Sequence, residues 1–210
     1  MGNETKEFRR LFPKGHIPII LSRIVQAGET LCKETENDLE NWISRRLYYR
    51  LIRIDSFRNG PLDIRLQPEI VSVDSDENHA QGQIDFLVSC GFGAEVYFAI
   101  EAKRLRFPRT NGTINTGNDA YVNDGMMRFV EGQYAPFMTT GAMLGYIFDG
   151  NLSKSCSGVA KYIGGKKNEL KLMPPQKLTT SKILPTNDVY ETRHDLNERD
   201  FTLYHIFLTV

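Results

Sequence analysis

Two apolar-rich, strand-like runs, Gln83–Cys90 and Val96–Lys103, are joined by the Gly-containing segment GFGAE. They constrain this chain more than any other feature. Short runs rich in β-branched and aromatic residues predict two strands, and a short Gly-containing connection predicts an antiparallel hairpin. Alternate side chains of a strand share a face. Glu101 and Lys103 are therefore expected to point one way, and Ile100 and Ala102 toward a packed underside. A hairpin centred on Gly93 sets Asp85 opposite Glu101, because each lies eight residues from the centre. Cross-strand partners lie about 5 Å apart at Cβ. Two carboxylates and an ammonium are then predicted to share one patch.

Like charges placed opposite each other destabilise a sheet. A divalent cation such as Mg²⁺ (or Mn²⁺) removes the conflict, because it takes hard oxygen ligands and keeps several waters. Asp85 and Glu101 are the expected metal ligands, with the backbone carbonyl of Ala102 as a third oxygen. Lys103 would stand beside the ion, to orient or deprotonate water or to stabilise developing negative charge. Such parts suit phosphodiester hydrolysis. The bland alternative for Glu101 and Lys103 is a surface ion pair, which contributes little.

The rest of the chain reads as a mixed α/β domain. Helices are predicted over Pro18–Gly28, Thr35–Ile54, Asp119–Ala135 and residues 153–168. Leu39, Trp42, Ile43, Leu47 and Leu51 form the expected buried stripe of the second helix, and Thr35 with Asp38 its cap. Further strands are predicted at Ile64–Val73, Gly141–Phe148, Val189–Arg193 and Phe201–Val210. His194 and His205 fall in those last two strands and read as core histidines. Residues 1–210 are expected to form one domain, with a core over about 30–150 and a C-terminal α/β extension over 151–210.

Charge adds one exclusion. The chain has 26 Lys+Arg and 26 Asp+Glu, so it is not built to coat nucleic acid through bulk positive charge. A local basic cleft remains open, and Lys103, Arg104, Arg106 and Arg109 make a basic run beside the acidic pair. Three scattered cysteines read as reduced thiols. No apolar run approaches the ~18–20 residues of a membrane span, and no signal peptide is evident. A cytoplasmic location and no membrane partner are expected.

Asp85, Glu101 and Lys103, as D…ExK on a hairpin, resemble the PD-(D/E)XK nuclease superfamily, the restriction-endonuclease-like fold. The resemblance covers about residues 30–150 and departs from the pattern where Ile84 stands in place of the usual proline. It implies a core of order αβββαβ, with a mixed central sheet flanked by helices. It also implies an auxiliary acid from the first core helix, for which Glu36 is the first candidate and Glu40 the second. The segment YVNDGMMRFVEGQYA is similar to a helix of restriction-like genome-defence proteins. That likeness implies that Arg128 and Gln133 join Arg104, Arg106 and Arg109 in contacting nucleic acid, with Tyr121 and Tyr134 packing alongside.

The function so implied is a Mg²⁺-dependent nuclease, a DNA endonuclease ahead of an RNA one, in antiphage or restriction-type defence. No sequence-reading motif is present, so specificity is expected from a homodimer or a partner subunit. Two alternatives are a catalytically silent nucleic-acid-binding or assembly subunit of the same fold, and a metal-dependent phosphohydrolase acting on a small nucleotide.

Overall fold

The computed structural model describes residues 11–70, 82–91, 93, 95–186, 188–196 and 199–210. After a 3-10 turn, Lys14–His16, come helices α1 (Ile17–Gly28), α2 (Glu40–Leu51) and the short α3 (Asp55–Arg58). Strands β1 (Asp63–Leu66), β2 (Glu69–Ile70), β3 (Gly82–Gln83), β4 (Phe86–Ser89) and β5 (Tyr97–Leu105) follow. A small hairpin, β6 (Phe107–Pro108) and β7 (Ile114–Asn115), leads to a π-helical segment, Ala120–Met126, that runs into α4 (Met127–Val130). The chain continues with β8 (Thr140–Ile147), α5 (Leu152–Gly165), β9 (Thr179–Thr180), β10 (Val189–Asp195) and β11 (Asp200–Thr209).

Among the described residues, seven strands form one mixed sheet in the order β1-β4-β5-β8-β11-β10-β9. β5, β8 and β11 run parallel at its centre, and the pairs outside them are antiparallel. Buried on both sides, β8 reads as a continuous apolar run, as central parallel strands do. Residues 151–210 supply β9, β10 and β11, so the C-terminal extension and the core share one sheet.

Helices cover both faces. Ser44 of α2 hydrogen-bonds Tyr146 of β8 at 3.0 Å. A Cβ on Gly125 of the π-helical segment would come within 2.4 Å of Met143 Cε. Met143 and Tyr146 are an odd number of residues apart on one strand and so face opposite sides. A side chain at this position would have to displace the end of the Met143 side chain, so glycine lets the π-helical segment lie close to the sheet without that shift. α1 forms because Ile17, Ile20, Leu21, Ile24 and Ala27 recur at helical spacing, and all five are buried. Among the described residues, no helix is long and apolar enough to cross a membrane.

The start of α2 differs from the sequence expectation. The helix begins at Glu40 rather than Thr35, because Asp38 uses its side chain on the turn before it. Its carboxylate accepts the Glu34 and Thr35 N–H groups at 2.8 and 3.2 Å, and the Thr35 hydroxyl at 2.9 Å. Cap and capped are thus the reverse of the expected pair. The buried stripe is Ile43, Leu47 and Leu51; Leu39 stands before the first helical turn and Trp42 falls on the other side of the helix, and each is 53% exposed. The strand expected over Ile64–Val73 is split into β1 and β2, and residues 71–73 lie outside the described residues.

Candidate active site

The β4–β5 pairing fixes the geometry. Phe86 pairs with Ile100 and Ser89 with Tyr97. One step beyond Phe86, the same register sets Asp85 level with Glu101. Asp85 is held there from two sides: its carbonyl accepts Gln67 N–H at 2.9 Å, and its Oδ2 accepts Ala102 N–H at 2.8 Å. Both acids are buried, Asp85 at 7% and Glu101 at 2% exposure.

Lys103 lies on the same face of β5 as Glu101. Its Nζ donates to Glu101 Oε1 at 2.5 Å and to the Ala102 carbonyl at 2.9 Å. Glu40 Oε1, at the first turn of α2, lies 3.5 Å from the same ammonium. The other Glu40 oxygen accepts Arg104 N–H at 2.9 Å. Arg128 Nη1 approaches Glu101 Oε1 from α4 at 3.6 Å. Tyr134 holds Arg128 in turn, accepting a hydrogen bond from its guanidinium and donating its own proton to the Gln83 carbonyl at 2.5 Å. One buried phenol thus ties the Arg128 helix to the segment that leads into Asp85.

The electrostatics follow from crowding acids in a place with little water. Burial, and then the neighbouring Asp85 charge, push the Glu101 carboxyl up to about 8, against the pull of Lys103 and Arg128. Burial also raises Asp85, despite the Ala102 N–H and the nearby cations. Glu40 is raised for the same first reason, with Asp85 adding to it and Lys103 opposing. For Lys103, burial works against the charge, but Glu101 and Glu40 outweigh it and raise its pKa. Glu101 Oε2 is buried and meets no donor among the described residues. It is an acceptor beside another acid, so a proton or a cation is what the position lacks.

A metal ion can be weighed on those facts. Among the described residues, no group of three or more His, Cys, Asp and Glu side chains gathers as a ready cage. Two buried carboxylates with raised pKa and one orphaned oxygen nevertheless fit a hard divalent cation. Asp85, Glu101 and the Ala102 carbonyl are the groups that would hold it. Lys103 Nζ is the cation that Glu101 Oε1 and the Ala102 carbonyl meet in the structure.

The remaining expected residues divide. Glu36 is not brought to the site: it pairs with Lys33 at 3.4 Å, with 56% of its side chain exposed. Glu40 is the acid of this region that reaches Lys103. Arg104 is committed internally, donating to the Asp38 carbonyl at 3.0 Å and lying 4.2 Å over the Phe107 ring. Arg106 pairs with Asp149 at 2.6 Å. Arg109 is exposed on the β6–β7 hairpin. Gln133 lies against Gly82, at the edge of the same segment as Gln83. Sequence reasoning gave Tyr134 a packing role alone and did not foresee the bridge through its hydroxyl, which spans 51 residues and follows no periodicity.

His194 and His205 are satisfied within the core. The Leu170 carbonyl can only accept, so His194 Nδ1 carries the proton across their 2.7 Å contact. Thr192 then donates to His194 Nε2 at 2.8 Å and accepts from His205 Nε2 at 2.9 Å. Tyr121 donates to His205 Nδ1 at 3.0 Å. These partners assign both rings as neutral, with one direction to the whole chain of bonds. No family model, no curated protein and no solved structure matches the chain.

Proposed function

We propose that this protein is a metal-dependent nuclease of restriction-endonuclease-like fold, hydrolysing phosphodiester bonds of DNA. The observation that carries the reading is the meeting of Asp85, Glu101 and Lys103 on one hairpin, with Glu40 and Arg128 on the same cluster. Its element order, a helix, a run of antiparallel strands, a helix and a parallel strand, is compatible with the αβββαβ core.

Each residue has a distinct task. Asp85 and Glu101, with the Ala102 carbonyl, would hold Mg²⁺ or Mn²⁺. When bound, that ion lowers the pKa of a water and neutralises charge on the phosphate. Lys103 is held as an ammonium between Glu101 and Glu40, which suits it to stabilise the negative charge that grows on the phosphate oxygens. Glu40 positions Lys103 and fixes the Arg104 backbone. Arg128 reaches Glu101 from the other side and has 35% of its side chain open to a phosphate. By the same resemblance we assign the activity to genome defence, with a homodimer or partner subunit supplying sequence choice.

A second reading has one observation in its favour. Lys103 already satisfies Glu101 Oε1 and the Ala102 carbonyl, as it would in a catalytically silent nucleic-acid-binding subunit. Incubation with plasmid DNA, single-stranded DNA and RNA, in Mg²⁺ and in EDTA, separates the two. The nuclease cleaves DNA in Mg²⁺ and not in EDTA; a silent subunit binds without cleaving.

A further inference from the structure

The outer face of α2 carries side chains that the acidic centre does not use. Trp42, Arg45, Arg46 and Tyr49 lie on it at i, i+3, i+4 and i+7, and Arg53 follows at i+11 in the turn that ends the helix. Trp42 is 53% and Tyr49 52% exposed, although the opposite face buries Ile43, Leu47 and Leu51. Arg45 and Arg53 are exposed and have no acidic partner among the described residues. Arg46 is engaged by Glu34 and Asp38, and Arg50 by Thr30. The helix has a single acid, Glu40, and it is turned into the site.

Large open rings beside unpaired guanidinium groups match a ligand that offers flat ring faces along a repeating anionic backbone. Single-stranded nucleic acid has both, because every unpaired base has a face to stack and every linkage a charge. A duplex offers the charges but keeps its base faces stacked inside. An acidic peptide offers charge without ring faces. Trp42 and Tyr49 stand two helical turns apart, about 10.5 Å, which is about three base steps of a stacked strand. Glu40, which meets Lys103, lies on the opposite face of the same helix, since residues two apart point about 200° away from each other.

We propose that the outer face of α2 is a docking track for the single-stranded nucleic acid on which the acidic centre acts. This rests on the nuclease reading and names the form of substrate it takes. Trp42 and Tyr49 stack on bases, and Arg45 and Arg53 meet phosphates.

Trp42 is the sole tryptophan of the chain, so its emission reports on this face alone. The test titrates the full chain in EDTA with a deoxythymidine homopolymer and with a mixed-sequence duplex of equal length. The homopolymer is expected to quench Trp42 and to bind at least about tenfold more tightly than the duplex. By anisotropy of a labelled homopolymer, Trp42→Ala and Tyr49→Ala each weaken binding about 5- to 100-fold. The pair Arg45→Ala and Arg53→Ala lowers the slope of log affinity against log salt by about 1.4. Thermal midpoints stay unchanged, because these side chains are exposed.

Equal affinity for the duplex overturns the proposal. So does homopolymer binding that leaves Trp42 emission and the Trp42→Ala affinity unchanged, or self-association that Trp42→Ala abolishes. Mg²⁺-dependent cleavage without dependence of binding on Trp42 removes the track and leaves the nuclease reading standing. Trp42-dependent binding by a chain that cleaves no nucleic acid removes the nuclease reading and keeps the track as a binding surface.

Discussion

Glu40 and Lys103 lie 63 residues apart in the chain and meet in the fold, carboxylate Oε1 to ammonium Nζ at 3.5 Å. The contact exists because α2 starts at Glu40 and aims its first turn at β5. Glu40→Gln is therefore expected to lower DNA cleavage about 10- to 100-fold, the usual loss when a residue that orients a reacting group is changed. Glu36→Gln should leave the rate unchanged, since that side chain pairs with Lys33 in solvent. Initial cleavage rates in Mg²⁺ decide the matter, and equal losses for the two variants contradict the assignment.

Asp38 sets where α2 starts. It is fully buried, and burial alone would raise its carboxyl. Hydrogen bonds from Glu34, Arg46 and Thr35 outweigh that and hold it at about 2. Asp38→Ala leaves those donors buried or unpaired, at a cost on the order of 2–4 kcal/mol. The expected outcome is a clear drop in the denaturant midpoint, with Asp38→Asn in between. An unchanged midpoint would show that the turn holds without its carboxylate.

How far such features can be read from sequence depends on their range. The β4–β5 register was legible because Asp85 and Glu101 are equidistant from Gly93, and alternation fixes which side chains share a face. The start of α2 was not legible from the Thr35–Asp38 spacing, which fits a helix cap and a closed turn equally well. Trp42 and Leu39 fit an apolar stripe on paper. Ser44, which takes a core position through its bond to Tyr146, belongs to no apolar pattern. Links such as Tyr134 to Gln83 and Arg128 to Glu101 join distant segments through polar atoms, and hydrophobic periodicity carries no trace of them. The parallel pairing of β11 with β8 across α5 is equally invisible to local signals.

The buried histidines give a pH prediction. Burial lowers His194 to about 4, and burial together with His194 lowers His205 to about 3. The unfolded chain takes up these protons near pH 6.5, before the native state does. Stability is thus fully present above pH 6.5 and is lost as pH falls toward 4. Glu101 acts in the opposite sense: its native pKa is raised to about 8, so its contribution is fully present below about pH 4.5 and is lost as pH rises through 8. The measurement is best made in a Glu101→Gln background. There the thermal midpoint should fall steadily from pH 6.5 to 5, and adding His205→Gln should flatten that slope. An unchanged slope would mean that the histidines are not what titrates.

That Asp85, Glu101 and Lys103 form one nuclease centre is tested most directly by single-turnover cleavage of DNA by the wild type, Asp85→Asn, Glu101→Gln and Lys103→Ala. Each protein is first checked for a native thermal transition. The predicted result is Mg²⁺-dependent cleavage by the wild type and a loss of at least about a hundredfold in each variant. Cleavage by Lys103→Ala at the wild-type rate, or no cleavage of any DNA by the folded wild type, would contradict the assignment.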